Sequence, residues 1–137
     1  MDYYEEVVRP LLREPGIEYV GEITEREKSA FLGEALALLF PIDWPEPFGL
    51  VMIEALACGT PVLAFPRGSV PEILEPGVTA HFGATIDALV EAVGRVDELD
   101  RRACRETFLR RFTDARMSRD YEEVYRRIVE EVRSWTT

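Results

Sequence analysis

Two carboxylates eight positions apart, Glu46 and Glu54, flank a short run, Pro47-Phe48-Gly49-Leu50, whose backbone chemistry suits an anion or a sugar oxygen. The first amides of a helix have no acceptor inside it, and the aligned peptide dipoles add about half a positive charge at that end. Gly49 has no Cβ, so a ligand can approach its backbone closely. Were the whole span helical, Glu46 and Glu54 would stand roughly 12 Å apart along the axis, too far to share one proton. Two separated acceptors with amide donors between them fit a long ligand carrying hydroxyls at both ends and an anion in the middle. A nucleotide diphosphate sugar has that layout.

The flanking sequence supplies the elements that must position these groups. Leu36 to Phe40 is a short apolar run ended by Pro41 and reads as a buried strand. A loop with Pro41, Pro45 and Pro47 follows, then an almost wholly apolar helix from Gly49 to Cys58, with Gly59 placed for a left-handed cap. Pro61 to Phe65 is a second buried strand, so the unit needs a right-handed crossover in a parallel sheet, with the loop at the carboxyl ends of the strands. Glu54 lies inside the apolar helix, where a carboxylate is costly without a hydrogen-bonding partner.

Along the rest of the chain, Asp2 to Leu12 has helical spacing and Ile17 to Val20 reads as a strand. Thr24 with Glu27, and Ser69 with Glu72, have the spacing of capping boxes. Val78 to Phe82 reads as a strand, Ile86 to Val93 and Leu99 to Arg111 as helices, and Thr113 as the N-cap of a last helix. That helix carries an apolar stripe of Met117, Tyr121, Val124, Tyr125, Ile128, Val132 and Trp135, long enough to lie across a sheet or along a partner.

The string PEPFGLVMIEALACGTPV, followed by GSVPE from Gly68 to Glu72, resembles the donor-binding half of the family-four retaining glycosyltransferases with the GT-B fold. The likeness runs from about Asp2, through GIEYVGEITEREK, to RFTDARMSRDYEEVYRRI. It implies an α/β fold: a Rossmann-like parallel sheet of about four strands, flanking helices and a long C-terminal helix, one partial donor domain over residues 1–137. It implies that Glu46 lies beside the donor hexose as the catalytic carboxylate. Glu54 then takes the ribose hydroxyls, and the backbone amides of Phe48, Gly49 and Leu50 contact hexose and diphosphate. The donor would be a UDP-, GDP- or ADP-sugar, with no cofactor and no metal, in keeping with the lack of any Asp-x-Asp or zinc spacing. Glu25 and Lys28 follow Gly21-Glu22-Ile23, a loop whose family counterpart borders the nucleobase, but read first as surface charge on a capped helix; Arg67 reads as a solvated loop arginine ahead of a phosphate contact, and Glu72 as a capping residue. His81, the only histidine, reads as a strand-end residue without catalytic duty.

The family's sheet order, 3-2-1-4-5-6, makes Ile17 to Val20 the third strand. Two earlier strands, the Arg and Lys that clamp the diphosphate, and the acceptor-binding half are then expected to be missing. On this reading the chain is an N-terminally truncated donor domain, inactive alone, whose open edge pairs with a second copy or, as the lesser expectation, takes the strand Ile17 to Val20 beside Leu36 to Phe40. A noncatalytic half-Rossmann interaction module is the alternative.

Composition agrees with a small-molecule ligand rather than nucleic acid, since a formal net charge of −10 opposes phosphate backbones. Arginine outnumbers lysine fifteen to one, and asparagine and glutamine are absent. Cys58 and Cys104 have neither metal spacing nor a secretory signal beside them, which points to a reducing cytoplasm.

Overall fold

The computed structural model describes residues 2–135. Among them are three short parallel strands, β1 (Leu38–Phe40), β2 (Val62–Ala64) and β3 (Ala80–Phe82), hydrogen-bonded in the order β1-β2-β3. Leu38 is in register with Val62, and Val62 with Ala80. The helices are a π-type stretch Tyr4–Val8 running into α1 (Arg9–Leu11), then α2 (Glu25–Glu34), α3 (Leu50–Ala57), α4 (Val70–Ile73), α5 (Ile86–Val93), α6 (Arg101–Arg111) and α7 (Asp114–Trp135).

The sheet has three strands where four were expected. Ile17 to Val20 forms no strand; Ile17, Tyr19 and Val20 are exposed, in a connection without regular structure from 17 to 24. A strand is held by its ladder, and here no neighbouring strand offers one. The free side of β1 is likewise uncovered among the described residues, with Leu36 79% and Leu39 60% exposed.

β2 is the centre. Val62, Leu63 and Ala64 are all buried, and the period of two sends Val62 and Ala64 to one face and Leu63 to the other. On the first face Met52, Ala55 and Leu56 of α3 pack with Phe40, Val70, Ile73, Leu74, Ala80 and Cys104. On the second, Leu63 and Phe65 meet Leu89 and Ala92 of α5. Burying a side chain the size of Met52 or Leu56 contributes about 1.5–3 kcal/mol, which makes α3 the most firmly seated helix.

Arg101 ties this centre to α2. Its guanidinium donates to the carbonyls of Ala35 and Gly33, both at 2.6 Å, and to Thr60 Oγ1 at 3.1 Å. Thr60 Oγ1 donates in turn to Leu32 O at 2.6 Å. The end of α2 is therefore fixed to the α3–β2 turn. Its start carries the expected capping box, with Thr24 Oγ1 donating to Glu27 Oε2 at 2.6 Å and Thr24 N–H at 3.1 Å.

The C-terminal helix begins as expected, Thr113 Oγ1 accepting from Arg116 N–H at 3.2 Å. Met117, Tyr121, Tyr125 and Ile128 of its stripe stay at least half exposed; the side chain of Trp135 lies outside the described residues.

Candidate functional site

The loop from Pro41 leaves the carboxyl end of β1 and enters α3 at Gly49, whose φ of 76° and ψ of 66° are left-handed. That break ends any helical path from Glu46, so the axial estimate of the Glu46–Glu54 separation does not hold: only Leu50 to Ala57 is helix. A Cβ on Gly49 would meet Met52 Cε at 2.6 Å, a contact the flexible end of the methionine can relieve, so it is the left-handed conformation that calls for glycine. Met52 N–H already bonds Gly49 O, at 3.0 Å, and the amides of Leu50 and Val51 have no acceptor in the helix.

Glu46 is half-buried above this helix end. Its two oxygens accept from Trp44 Nε1–H at 3.1 Å and, more weakly, from Phe48 N–H at 3.5 Å. The loop is clamped from the other side by residues that follow β2. Ser69 N–H donates to Glu46 O at 2.9 Å, and Ser69 Oγ donates to Phe48 O at 2.8 Å. Ser69 was expected to cap α4, but it makes no side-chain cap there because its hydroxyl is spent on the loop. Gly68, with φ of 56°, packs so closely that a Cβ would lie 2.5 Å from both N and O of Glu46. Arg67 pairs with Asp43 at 2.5 Å, both exposed, a contact that contributes little to stability.

Glu54 has the partner that its position demands. Lys28 Nζ lies 2.9 Å from Glu54 Oε1 and 2.7 Å from Glu25 Oε1. The Glu25 and Glu54 carboxylates, in that order, hold the Lys28 ammonium above the usual lysine range. Glu54 lines a recess of about 210 Å³ together with Glu25, Lys28, Ser29, Leu32, Ala57 and Cys58, and its hydrogen bond to Lys28 engages Oε1 and not Oε2. Phe48 and Leu50 border a second, more apolar groove of about 420 Å³ with Ile53, Arg111, Phe112, Met117, Asp120 and Tyr121.

Loop and helix thus bring Glu46, Phe48, Gly49 and Leu50 together at the helix entrance, with Glu54 further along α3 on the side facing α2. His81 stands apart. Its Nε2 lies 3.0 Å from Arg95 O and 3.7 Å from Glu98, contacts that hold a strand end in place. Sequence reasoning missed Trp44, the Gly68–Ser69 clamp and the Lys28 contact. For Lys28 a signal existed, since it is the single lysine in a chain that otherwise uses arginine. Among the described residues no three His, Cys, Asp or Glu side chains group as metal ligands, and no helix is long and apolar enough to cross a membrane.

Known proteins are similar to this chain in sequence and fold. The sequence profile of the Glycosyl transferases group 1 family matches residues 2–107. The chain is similar, at 31% identity over 121 residues, to an uncharacterized 41.2 kDa protein in the cps region of Klebsiella pneumoniae, covering 84% of this chain and 34% of that one. It is 32% identical over 68 residues to a phosphatidyl-myo-inositol mannosyltransferase of Propionibacterium freudenreichii, covering 48% of this chain and 18% of the mannosyltransferase. Its fold superposes on sucrose-phosphate synthase from Thermosynechococcus elongatus with a TM-score of 0.77 and 26% identity, over 94% of this chain and 34% of the synthase. The chain therefore spans about a third or less of the length of these relatives. A parallel sheet flanked by helices, with its glycine-opened loop and helix at the strand ends, is here a GT-B glycosyltransferase domain, and the chain belongs to the Glycosyl transferases group 1 family.

Proposed function

We propose that this chain is the donor-binding part of a retaining glycosyltransferase that moves a hexosyl group from a UDP-, GDP- or ADP-sugar to an acceptor. The observation that carries the reading is the α3 entrance. A left-handed Gly49 opens the helix with unsatisfied amides, the Glu46 carboxylate is held over that end, and Glu54 lines a recess with one oxygen bonded to Lys28. In this reading the amides of Phe48, Gly49 and Leu50 receive the diphosphate and hexose oxygens, where the helix end stabilises negative charge. Glu46 lies beside the hexose and orients it for transfer. Glu54 accepts from the ribose hydroxyls and sets the position of the nucleoside.

The stabilisation of charge on the leaving diphosphate is the dominant contribution in such transfers. The chain offers amides for it, while the arginines near the α3 entrance are already engaged: Arg67 pairs with Asp43, and Arg111, which lines the groove beside Phe48 and Leu50, bonds Glu75 and the carbonyls of Glu72 and Ile73. We therefore expect donor binding without appreciable turnover by the isolated chain, and an acceptor-binding half as its functional partner. No metal takes part in this scheme, and its setting is the reducing cytoplasm, with Cys58 and Cys104 as free thiols. Calorimetry with UDP-, GDP- and ADP-sugars tests the reading. Glu54→Ala should weaken binding by about 1.5–3 kcal/mol, the range for hydrogen bonds to a charged group, and Glu46→Ala by less. Equal affinity of Glu54→Ala and the parent would refute it.

A second reading, a noncatalytic pairing module, is favoured by one observation: the uncovered β1 edge with Leu36 and Leu39 exposed. Tight self-association with no nucleotide-sugar binding in the same titration would support it instead.

A further inference from the structure

We propose that Lys28 is a positioning residue for the nucleoside site: its ammonium holds one oxygen of Glu54 and leaves the other open to the ribose hydroxyls. The proposal rests on the reading of Glu54 as the ribose acceptor and adds to it the residue that governs how Glu54 is presented. Lys28 sits 26 positions before Glu54 on a different helix, and it reaches Glu54 Oε1 at 2.9 Å while tethered to Glu25 Oε1 at 2.7 Å. Both helices are fixed. α3 is seated through Met52, Ala55 and Leu56, and α2 is capped by Thr24 at its start and held by Thr60 and Arg101 at its end. An ammonium between two carboxylates on fixed helices is a rigid reference point, and the recess beside it is lined by these same side chains.

The type of cation matters. A lysine ammonium is a compact charge that can engage one carboxylate oxygen and turn its remaining donors elsewhere, as Lys28 does toward Glu25. A guanidinium presents a planar fork that takes both oxygens of a carboxylate. At this position arginine would cover Glu54 Oε2, the atom a ribose hydroxyl needs. The chain has sixteen Lys and Arg residues, and the only lysine stands where a fork would close the site.

The test compares binding of UDP, GDP and ADP with that of their 2′,3′-dideoxy counterparts by calorimetry, on the full chain. The parent should prefer the ribonucleotide by about tenfold or more, as one charged hydrogen bond allows. Lys28→Arg keeps charge and ion pair, so its melting temperature should match the parent while the preference falls toward one. Lys28→Met should also lose most of the preference. Glu54→Ala separates the two ideas. If it abolishes the preference while Lys28→Arg retains it, Lys28 is only a surface ion pair and the proposal is overturned with the Glu54 reading intact. If Glu54→Ala retains the parent preference, or the parent shows none, the Glu54 reading fails and the proposal with it.

Discussion

Replacing Gly68 by alanine tests the idea that the Glu46 loop is held from behind by the residues after β2. At φ of +56° a residue with a Cβ adopts a left-handed backbone at a cost of about 1–2 kcal/mol. The added methyl would also sit 2.5 Å from the N and O of Glu46 and 2.7 Å from Pro45 C. Those are backbone atoms, so no rotamer change relieves the clash, and forced overpacking adds about 1–3 kcal/mol. The sum is about 2–5 kcal/mol, against a typical domain stability of about 5–15 kcal/mol. Gly77 is the internal control. Its φ is +76°, but a Cβ there meets nothing within 4 Å, so Gly77→Ala should cost only the conformational part, about 1–2 kcal/mol. Urea unfolding of both variants measures the difference directly. In a chain of this size each kcal/mol moves the melting temperature by about 3–5 °C, so the Gly68 variant should melt about 6–25 °C below the parent. Equal losses for the two variants would refute the clamp, since they would show that conformation alone matters.

Other outcomes follow from the same structure. Burial pushes the Cys104 thiol up to about 11. The folded state then keeps a proton that the unfolded chain releases near its ordinary value of about 8.5, so this contribution to stability is full below that pH and is lost as pH rises toward 11. Urea midpoints from pH 8 to 11 should fall less steeply for Cys104→Ala than for the parent, and identical slopes would contradict the assignment. Donor binding should be the same in EDTA and in added Mg²⁺; loss in EDTA restored by Mg²⁺ would end the metal-free scheme. The exposed β1 edge should pair between two copies, giving a dimer by light scattering at micromolar concentration. A well-folded monomer with slow amide exchange at 36–40 would show that the edge is satisfied within one chain.

The parts of the fold that were legible in the sequence are those written in local signals. The β1–α3–β2 unit follows from two short apolar runs around an apolar helix, and Gly59, with φ of 72°, ends that helix as its position suggests. Thr24 and Thr113 cap as their spacing implies, because a cap is settled within four residues. What could not be read depends on which elements meet. Ile17 to Val20 has the composition of a strand but finds no ladder. Ser69 has the spacing of a capping residue, yet the Glu46 loop approaches its hydroxyl first. Lys28 resembles any charge on a capped helix until α2 is laid against α3. Gly68 looked like one glycine of a motif, and only the approach of the Glu46 backbone shows why no side chain fits.

The order β1-β2-β3 also bears on how the molecule comes into being. Each strand pairs with the next one along the chain: Leu38 with Val62, and Val62 with Ala80. These pairings span 24 and 18 positions, so each parallel ladder forms only after a loop of that length has closed. During synthesis the α3 entrance can assemble once β2 and the Gly68–Ser69 clamp have left the ribosome, about halfway along the chain. Arg101, which locks α2 against the α3–β2 turn, arrives later. The loop from Pro41 to Gly49 would then take shape before the Lys28 side of the site becomes rigid.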